Sequence, residues 1–460
     1  MQSPNPSLSL TPLERRAALS LAGIYALRMM GLFLILPVFA IYARELPNVT
    51  PMHIGLAIGI YGLTQALLQI PFGLLSDRIG RKPVIIGGLL IFALGSAVAA
   101  TADSIQGIIL GRALQGSGAV AAAVMAMAAD LSREEVRTRV MAIIGMSIGG
   151  SFILSLVLGP VLGHWIGVPG IFWLVTLLAL GGVLVVIFLV PKPVHSGVHR
   201  DTEAVPAQFR AVLGNRELLR LDLGVFSMHL LMTALFLAVP LELRQLGLET
   251  ERHWLVYLPV MLVSVAVMVP FIILAEKRQR MKPVLLGAIS VLVLAELALY
   301  LAGTSLPGMA LALVLYFAAF NLLEASLPSL VSKLAPAAAK GTAMGFVSTS
   351  QFLGAFVGGL LGGWLQQQAG PSGLFLGGAL VALVWLLVAL PMAKPRHLTT
   401  ELARLAPLSE VQARLLAQRL SQVAGVAEAV VVPDEAVAYL KLDQERLNRA
   451  DLDGVLADAA

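Results

Sequence analysis

The sequence predicts an all-α membrane protein with twelve transmembrane helices in two pseudo-symmetric six-helix halves, followed by a small α+β domain. The 460 residues are 58% hydrophobic and 13% charged, whereas soluble domains are about 25% charged. Twelve apolar stretches each approach the roughly 20 residues that cross a bilayer. A polar stretch divides them six and six, and after Pro395 the composition becomes that of a soluble domain.

The spans follow one another with short connections. Their predicted limits are 19–43, 53–75, 83–101, 105–130, 138–162, 170–190, 219–243, 254–275, 283–302, 306–332, 341–366 and 372–392. The expected units are an N-terminal half (1–190), a linker (191–218), a C-terminal half (219–395) and a soluble domain (396–460). Residues 1–18 contain no apolar core before a cleavage site, so we expect no removable signal peptide.

Lys and Arg are distributed unevenly over the connections between the spans. Alternate connections that include the N-terminus carry 21 of them, and the opposite set carries 3. Because short cytoplasmic loops are enriched in Lys and Arg, we expect both termini on the cytoplasmic side of a bacterial inner membrane. The net charge of +5 then reports topology and not a nucleic-acid partner. The absence of cysteine excludes disulfides, thiolate metal sites and cysteine nucleophiles.

An internal repeat relates the two halves. Residues 71–84, PFGLLSDRIGRKPV, return at 270–284 as PFIILAEKRQRMKPV, with Glu276 near the place of Asp77 and without the two glycines. Loops on one face of a membrane could converge on basic composition by themselves. The shared Pro-Phe and Lys-Pro-Val at matching helix ends favour a true repeat.

The loop between spans two and three is the most specific motif. The matching positions are Gly73, Asp77, Arg78, Gly80, Arg81 and Lys82. They resemble the loop 2–3 signature of the major facilitator superfamily, G-x-L-x-D-R-x-G-R-[RK], and the chain as a whole resembles members with an extra C-terminal domain. That resemblance implies two halves that rock about a site near the middle of the membrane. Such transporters are not enzymes.

The resemblance implies a latch in this loop. Asp77 would sit near the N-terminus of the eleventh helix, which begins around Gly341, where the helix dipole favours a carboxylate. It would hold the halves together in one conformation only. Arg81 has an expected partner in Asp130, at the end of the fourth helix. The alternative is that these charges only anchor the loop at the membrane surface.

A second family signature, R-x-x-Q-G-x-G, matches residues 111–121, GRALQGSGAVA. An arginine inside a span is costly, so Arg112 should face a polar cavity or an acid. Gly116 and Gly118 would allow close packing of this helix. A third signature, the Gly-Pro kink of antiporters on the fifth helix, is partly present at Gly159 and Pro160.

By the family fold, four ionisable residues share one central cavity with Asn321. These are Arg28, Arg112, His229 and Glu324. Glu324 is the first candidate for proton coupling, since its protonation could change the stability of two states, and His229 is the second. A lasting ion pair between Glu324 and Arg28, or a packing role for His229, is the alternative. Glu296 is expected to be structural.

Polar amides and small residues in the spans allow two interpretations each. Gln65, Gln69 and Gln115 could contact substrate or could join neighbouring helices. Glycines at four-residue spacing should pack helices together where the halves meet. They are Gly145 and Gly149 in the fifth span, and Gly354, Gly358 and Gly362 in the eleventh.

The segment after Pro395 has the pattern of a βαββα domain. Ser409 and Gln412 form a capping box before an amphipathic helix. Strands AEAVVV and AVAYLKL follow, with a first strand near 399–405 and a last helix over 444–457. This order resembles a ferredoxin-like fold of the metal-binding type, although no cysteine pair is present. The domain is either an accessory unit or a regulatory one.

The resemblance implies a proton-coupled antiporter that exports small apolar or amphipathic compounds. The expected partners are the lipid bilayer, a small-molecule substrate and protons, with no cofactor, no metal and no nucleic acid, in a monomer. A symporter or facilitator for uptake would share these features. A membrane sensor or scaffold that signals through the C-terminal domain is the alternative of another class.

Overall fold

A computed structural model describes residues 9–191, 208–301, 305–336, 339–393, 398–406, 408–433, 436–443 and 446–457. Within these residues, ten helical segments are long and apolar enough to cross a membrane. Two of them are longer than 45 residues and reverse direction halfway. The chain therefore crosses twelve times, which confirms the predicted fold class.

The helices of the two halves follow the predicted order. The first half contains α1 (Pro12–Phe33), α2 (Leu36–Ala43), α3 (Pro51–Ile79), α4 (Arg81–Ala100), α5 (Ile105–Ser117), α6 (Ala121–Asp130) and α7 (Glu134–Phe188). A short α8 (Phe209–Leu213) precedes α9 (Arg216–Gln245), α10 (Trp254–Lys277), α11 (Met281–Leu301), α12 (Leu306–Leu334) and α13 (Lys340–Ala389). Helices α1 with α2 form the first span, and α5 with α6 form the fourth.

A single glycine reverses each of the two longest helices. Gly167 in α7 has φ 69° and Gly370 in α13 has φ 66°, a left-handed conformation that glycine adopts without steric cost. Proline follows closely at Pro169 and Pro371 and favours a new helical start. The two arms of α7 are thus the fifth and sixth spans, and those of α13 are the eleventh and twelfth.

The predicted linker, residues 191–218, is partly helical at its end. Helix α8 lies inside it, and α9 begins at Arg216 because Asn215 caps its first turn. Residues 192–207 lie outside the described part of the chain. The bounds of the four predicted units otherwise stay predictions.

Two predicted spans are broken where a continuous helix was expected. The first span is interrupted between Phe33 and Leu36, where Pro37 has no N–H to continue the helix. The fourth span is interrupted at Gly118, whose backbone is not helical (φ −74°, ψ 55°). A side chain there would lie 2.3 Å from the carbonyl oxygen of Gly88. The fourth helix therefore crosses its neighbour at backbone contact distance.

The glycines of the eleventh span pack differently from the expectation. A Cβ on Gly354 would lie 2.2 Å from the carbonyl oxygen of Phe226, and one on Gly358 would lie 2.2 Å from that of Leu230. Both partners belong to α9, so these contacts are within the C-terminal half and not between the halves. Gly145 and Gly149 have no neighbour within 4 Å of such a Cβ.

The C-terminal domain has the predicted βαββα order. It contains β1 (Leu398–Arg404), α14 (Glu410–Ser421), β2 (Val426–Val432), β3 (Val437–Asp443) and α15 (Arg449–Ala457). The three strands pair antiparallel in the order β1–β3–β2. The capping box of Ser409 and Gln412 is formed. The more specific ferredoxin-like assignment stays a prediction.

Candidate functional site

A cavity of about 1,100 Å³ lies between the two halves. Its rim contains Asp77 and Arg81 from the first half and Lys340 and Gly341 from the second. These residues belong to the face that carries the basic loops, which we call the basic face. The cavity is therefore open at the basic face.

Methionine side chains are prominent in the cavity wall. They are Met125, Met141, Met146, Met232, Met261, Met268 and Met344. Methionine is flexible and polarizable, so it can adapt to apolar molecules of different shapes. Among the polar groups in this wall are Gln69, Asn321, Glu324 and Gln351.

Aromatic rings close the cavity on the side away from the basic face. Phe152 lies at the centre of the cluster, with its ring centroid 4.9 Å from that of Phe33 and 6.1 to 6.4 Å from those of Phe236, Phe317 and Phe320. The rings come from the first, fifth, seventh and tenth spans, so both halves contribute. This cluster separates the cavity from the opposite face.

Contacts between the halves continue toward the opposite face. A Cβ on Gly55 would lie 2.0 Å from the carbonyl oxygen of Gly359, so α3 and α13 touch through their backbones. Near the helix ends, the His164 Nδ1 atom lies 2.5 Å from a Glu251 carboxylate oxygen, and Arg244 lies 3.6 Å from Glu45. Each of these contacts joins the two halves.

The loop between α3 and α4 is held within the first half. Arg81 contacts Asp77 and lies 3.2 Å from Asp130, the partner expected from the sequence. Lys82 donates to the carbonyl oxygen of Val190 at 2.6 Å. Gly80, with φ 98°, separates the two helices. In this conformation the contact recorded for the Asp77 carboxylate is Arg81, not the start of α13.

The second half has a related contact. Lys333, at the end of α12, binds the Glu276 carboxylate at 2.8 Å. Glu276 stands in the repeated segment near the place of Asp77, and Lys333 ends the tenth span as Asp130 ends the fourth. In each half an ion pair thus joins the repeated segment to the end of the fourth span of that half.

Two of the proton-coupling candidates meet in the cavity. The His229 Nε2 atom lies 3.6 Å from a carboxylate oxygen of Glu324, while its Nδ1 atom lies 3.0 Å from the carbonyl oxygen of Val225. The Glu324 side chain is 40% exposed, whereas that of His229 is buried. Asn321 lines the same wall.

Arg28 and Arg112 are buried inside the first half and do not line the cavity in this conformation. Arg28 donates to the Tyr61 hydroxyl at 2.8 Å and to Gln65. The Arg112 guanidinium lies 5.0 Å from the centre of the Tyr61 ring and donates to Gln115 at 2.8 Å. Both guanidiniums point to Tyr61, so Arg28 does not pair with Glu324.

The amides therefore differ in position. Gln65 and Gln115 are buried partners of the arginines, and Gln65 donates to Gln69 at 3.3 Å. Gln69 lines the cavity. A chain of polar contacts thus runs from the cavity wall at Gln69 through Gln65 to Arg28.

The C-terminal domain contacts the basic face of the bundle. Lys441, on β3, is buried and donates from Nζ to the backbone carbonyl oxygen of Lys333 at 2.7 Å. That carbonyl lies in the last turn of α12, where a cation is favourable. Glu401, on β1, belongs to the cavity rim. The domain is thus seated beside the cavity mouth.

The sequence analysis did not identify the methionine wall or the phenylalanine cluster. Both consist of residues that look like ordinary span residues, because helix rotation decides which of them face the cavity. The YFAAFNLLE run at 316–324 carried a signal, since its aromatic and polar residues recur there at four-residue spacing, as on one face of a helix.

Known proteins resemble the chain along its whole length. The protein-family model described as Major Facilitator Superfamily matches residues 21–359 and 322–426. The family model of the YajR YAM domain matches residues 404–458. The inner membrane transport protein YajR of Escherichia coli is 45% identical, over 98% of this chain and 99% of that protein.

More distant relatives share most of the bundle. The multidrug resistance protein MdtH of Aeromonas salmonicida is 27% identical over 75% of this chain and 86% of that protein. A solved bacterial homologue of the human lysosomal transporter Spinster, in an inward-facing and occupied conformation, superposes with a TM-score of 0.67. It is 14% identical and covers 83% of this chain and 96% of its own.

Proposed function

The chain belongs to the major facilitator superfamily, and from that premise we propose that it is a proton-coupled antiporter that exports small apolar or amphipathic compounds. It is a transporter and not an enzyme, and its relatives place it in the inner membrane as a multi-pass protein. The observation that carries the proposal is the cavity, which is open at one face and closed at the other. Alternating access requires two such states.

The loop of Asp77 supports the alternation. With the basic face open, its carboxylate contacts Arg81 in its own half, while Gly341 lies across the cavity mouth. Closing the basic face would bring the N-terminus of α13 to Asp77, where the helix dipole favours a carboxylate. The residues Gly73, Arg78, Gly80, Arg81, Lys82 and Asp130 would shape and hold this loop.

The cavity wall supports the substrate class. Seven methionines and few polar groups suit molecules that are apolar over most of their surface. Gln69, Asn321 and Gln351 would orient a polar end. This wall does not offer the dense hydrogen-bonding groups that a sugar needs.

Glu324 and His229 support the coupling to protons. Glu324 is half-exposed in the cavity, so it can exchange a proton with water, and His229 lies 3.6 Å away. A substrate that enters this space would meet a carboxylate whose charge depends on that proton. Arg28 and Arg112 would act behind the wall through Gln65 and Tyr61. The proton gradient would supply the energy without a cofactor.

The basic face is the cytoplasmic one in this proposal, because Lys and Arg concentrate there. Both termini and the C-terminal domain would then lie in the cytoplasm. We take the protein as a monomer, with the lipid bilayer, substrate and protons as its partners and no nucleic acid.

Inverted membrane vesicles test the proposed function. A proton gradient imposed on vesicles with the wild-type chain should drive uptake of a fluorescent amphipathic cation against its concentration gradient. Glu324→Gln should abolish gradient-driven uptake and leave exchange without a gradient, whereas Glu410→Gln, at an exposed carboxylate of the C-terminal domain, should retain gradient-driven uptake. Wild-type vesicles that show no gradient-driven transport over a panel of such compounds would contradict antiport.

A further inference from the structure

A second ionisable group, Glu296, is buried in the C-terminal half away from the cavity. It lies five residues before the end of α11, roughly 8 Å from the opposite face at a rise of 1.5 Å per residue. Its side chain is 2% exposed, and its Oε2 atom is buried with no hydrogen-bond partner. The sequence analysis expected a structural residue at this position.

The surroundings of Glu296 are fitted to a carboxyl group. Gly378, in the second arm of α13, is packed so closely that a Cβ there would lie 2.7 Å from the carboxyl carbon. The glycine therefore makes the space that the acid occupies. The contact is with the twelfth span, on the side of α11 away from the cavity.

The neighbouring charges do not compensate an ionised Glu296. Among the described residues, no Lys, Arg or His forms an ion pair with it, and the titratable group that interacts with it is the Tyr316 phenol of α12. The Tyr316 hydroxyl is also buried without a partner. Facing elements α11, α12 and α13 thus contribute one acid, one phenol and a glycine.

An ionised carboxylate in such a place is very unfavourable, because the interior does not solvate its charge. A protonated carboxyl group is neutral and avoids this cost. We propose that Glu296 is a second proton-binding site, separate from Glu324, and that it holds a proton while the cavity is open at the basic face. This deepens the proposed function but does not require that protons drive transport.

The site is connected to the cavity through one helix. The Tyr316 ring is stacked with Phe320 at 6.4 Å and 11°, and the Phe320 ring lies 6.0 Å from that of His229. His229 in turn contacts Glu324. Movement of α12 during the transport cycle would therefore change the surroundings of both Glu296 and Glu324.

Infrared spectroscopy of the purified full-length chain tests this inference. The wild type should show the C=O absorption of a protonated carboxylic acid that persists when the pH is raised above neutral. Glu296→Gln, an isosteric change, should remove this absorption, and Glu324→Gln, the matched control, should retain it. Tyr316→Phe should keep the absorption and shift it, because the phenol dipole that interacts with the carboxyl group is removed.

The opposite results would overturn the inference. If the absorption is unchanged in Glu296→Gln, or is lost in Glu324→Gln alone, then Glu296 is not a proton carrier. Should Glu296→Gln fail to fold, an unshifted absorption in Tyr316→Phe would count against the site. None of these readouts measures transport, so a failure of proton-coupled antiport would be seen separately in the vesicle experiment.

Discussion

Asp77 illustrates how one residue can report the state of the whole transporter. In the conformation open at the basic face it contacts Arg81, which also binds the buried Asp130 at 3.2 Å. In a conformation closed at that face, it would bind the start of α13. In the proposed latch, one carboxylate would therefore have a different partner in each state, and its binding energy would favour one state over the other.

Replacing Asp77 with Asn should favour the state open at the basic face. A carboxylate at a helix N-terminus contributes up to about 2 kcal/mol, so losing it should change the ratio of states by up to about thirtyfold. The chain contains no cysteine, so Ser348→Cys in the cavity wall can serve as the only reactive thiol. Its alkylation from the basic face should be faster in Asp77→Asn.

The control for this change is Arg278→Gln in the exposed connection between α10 and α11, which should leave the alkylation rate unaffected. If Asp77→Asn and Arg278→Gln behave alike, the loop of Asp77 is only a membrane-surface anchor.

Lys441 makes the contact of the C-terminal domain sensitive to pH. Burial lowers the pKa of Lys441 from 10.5, with a further lowering by Lys340 and an opposing effect of Glu428. The docked lysine thus binds a proton more weakly than a solvated one. Docking should therefore strengthen as the pH rises from the lowered pKa of the docked lysine toward 10.5. It should weaken as the pH falls through the same range.

Distance measurements between a label on the C-terminal domain and one on α12 test this effect. The docked fraction should rise with pH in the wild type and lose its pH dependence in Lys441→Met. Arg446→Met is the control, since that side chain is 84% exposed on the same domain. A pH dependence that survives in Lys441→Met would assign it to another group.

At the scale of helices, the glycines divide into those that make contacts and those that leave space. Gly354 and Gly358 bring the eleventh span against the backbone of α9, whereas Gly145 and Gly149 face the open cavity. The sequence shows the same four-residue spacing in both. The two sets differ only in what their helix face points to, which is a neighbouring helix in one case and the cavity in the other.

Alanine substitutions should separate the two kinds of glycine. Gly354→Ala places a Cβ 2.2 Å from a backbone oxygen, so the helices must move apart, at a cost of about 1–3 kcal/mol. Gly145→Ala meets no atom within 4 Å and should raise helix stability by up to about 1 kcal/mol. Thermal unfolding in detergent should show a lower midpoint for Gly354→Ala and an unchanged or higher one for Gly145→Ala. Equal midpoints would contradict the packing described here.

The helices themselves could be predicted because apolar length and loop charge are local properties of a sequence. Predicted span limits such as 254–275 lie within a few residues of α10. The break at Gly118 was missed because it depends on the close approach of α4. The break before Pro37 was missed because other spans, such as α10 at Pro259, continue through a proline. The cavity wall could be predicted only in part, because the sequence does not show the direction of each side chain. Glu324 and Gln65 are both polar residues within spans, but Glu324 lines the cavity and Gln65 binds Arg28 inside the first half.

The whole molecule consists of two halves that touch near the opposite face and separate at the basic face. Gly55 and Gly359, the phenylalanine cluster and the ion pair of His164 with Glu251 make the closed side. The C-terminal domain is seated at the open side through Lys441. The arrangement predicts that opening one side requires closing the other.

Double electron–electron resonance with two pairs of spin labels tests this claim most directly. One pair, at Ile79 and Lys340, spans the basic face, and the other, at Glu45 and Arg244, spans the opposite face. Each pair should show a short and a long distance, and conditions or variants that favour the long distance at one face should favour the short distance at the other. Distances that change independently at the two faces, or a single fixed distance at both in every condition, would contradict alternating access between these halves.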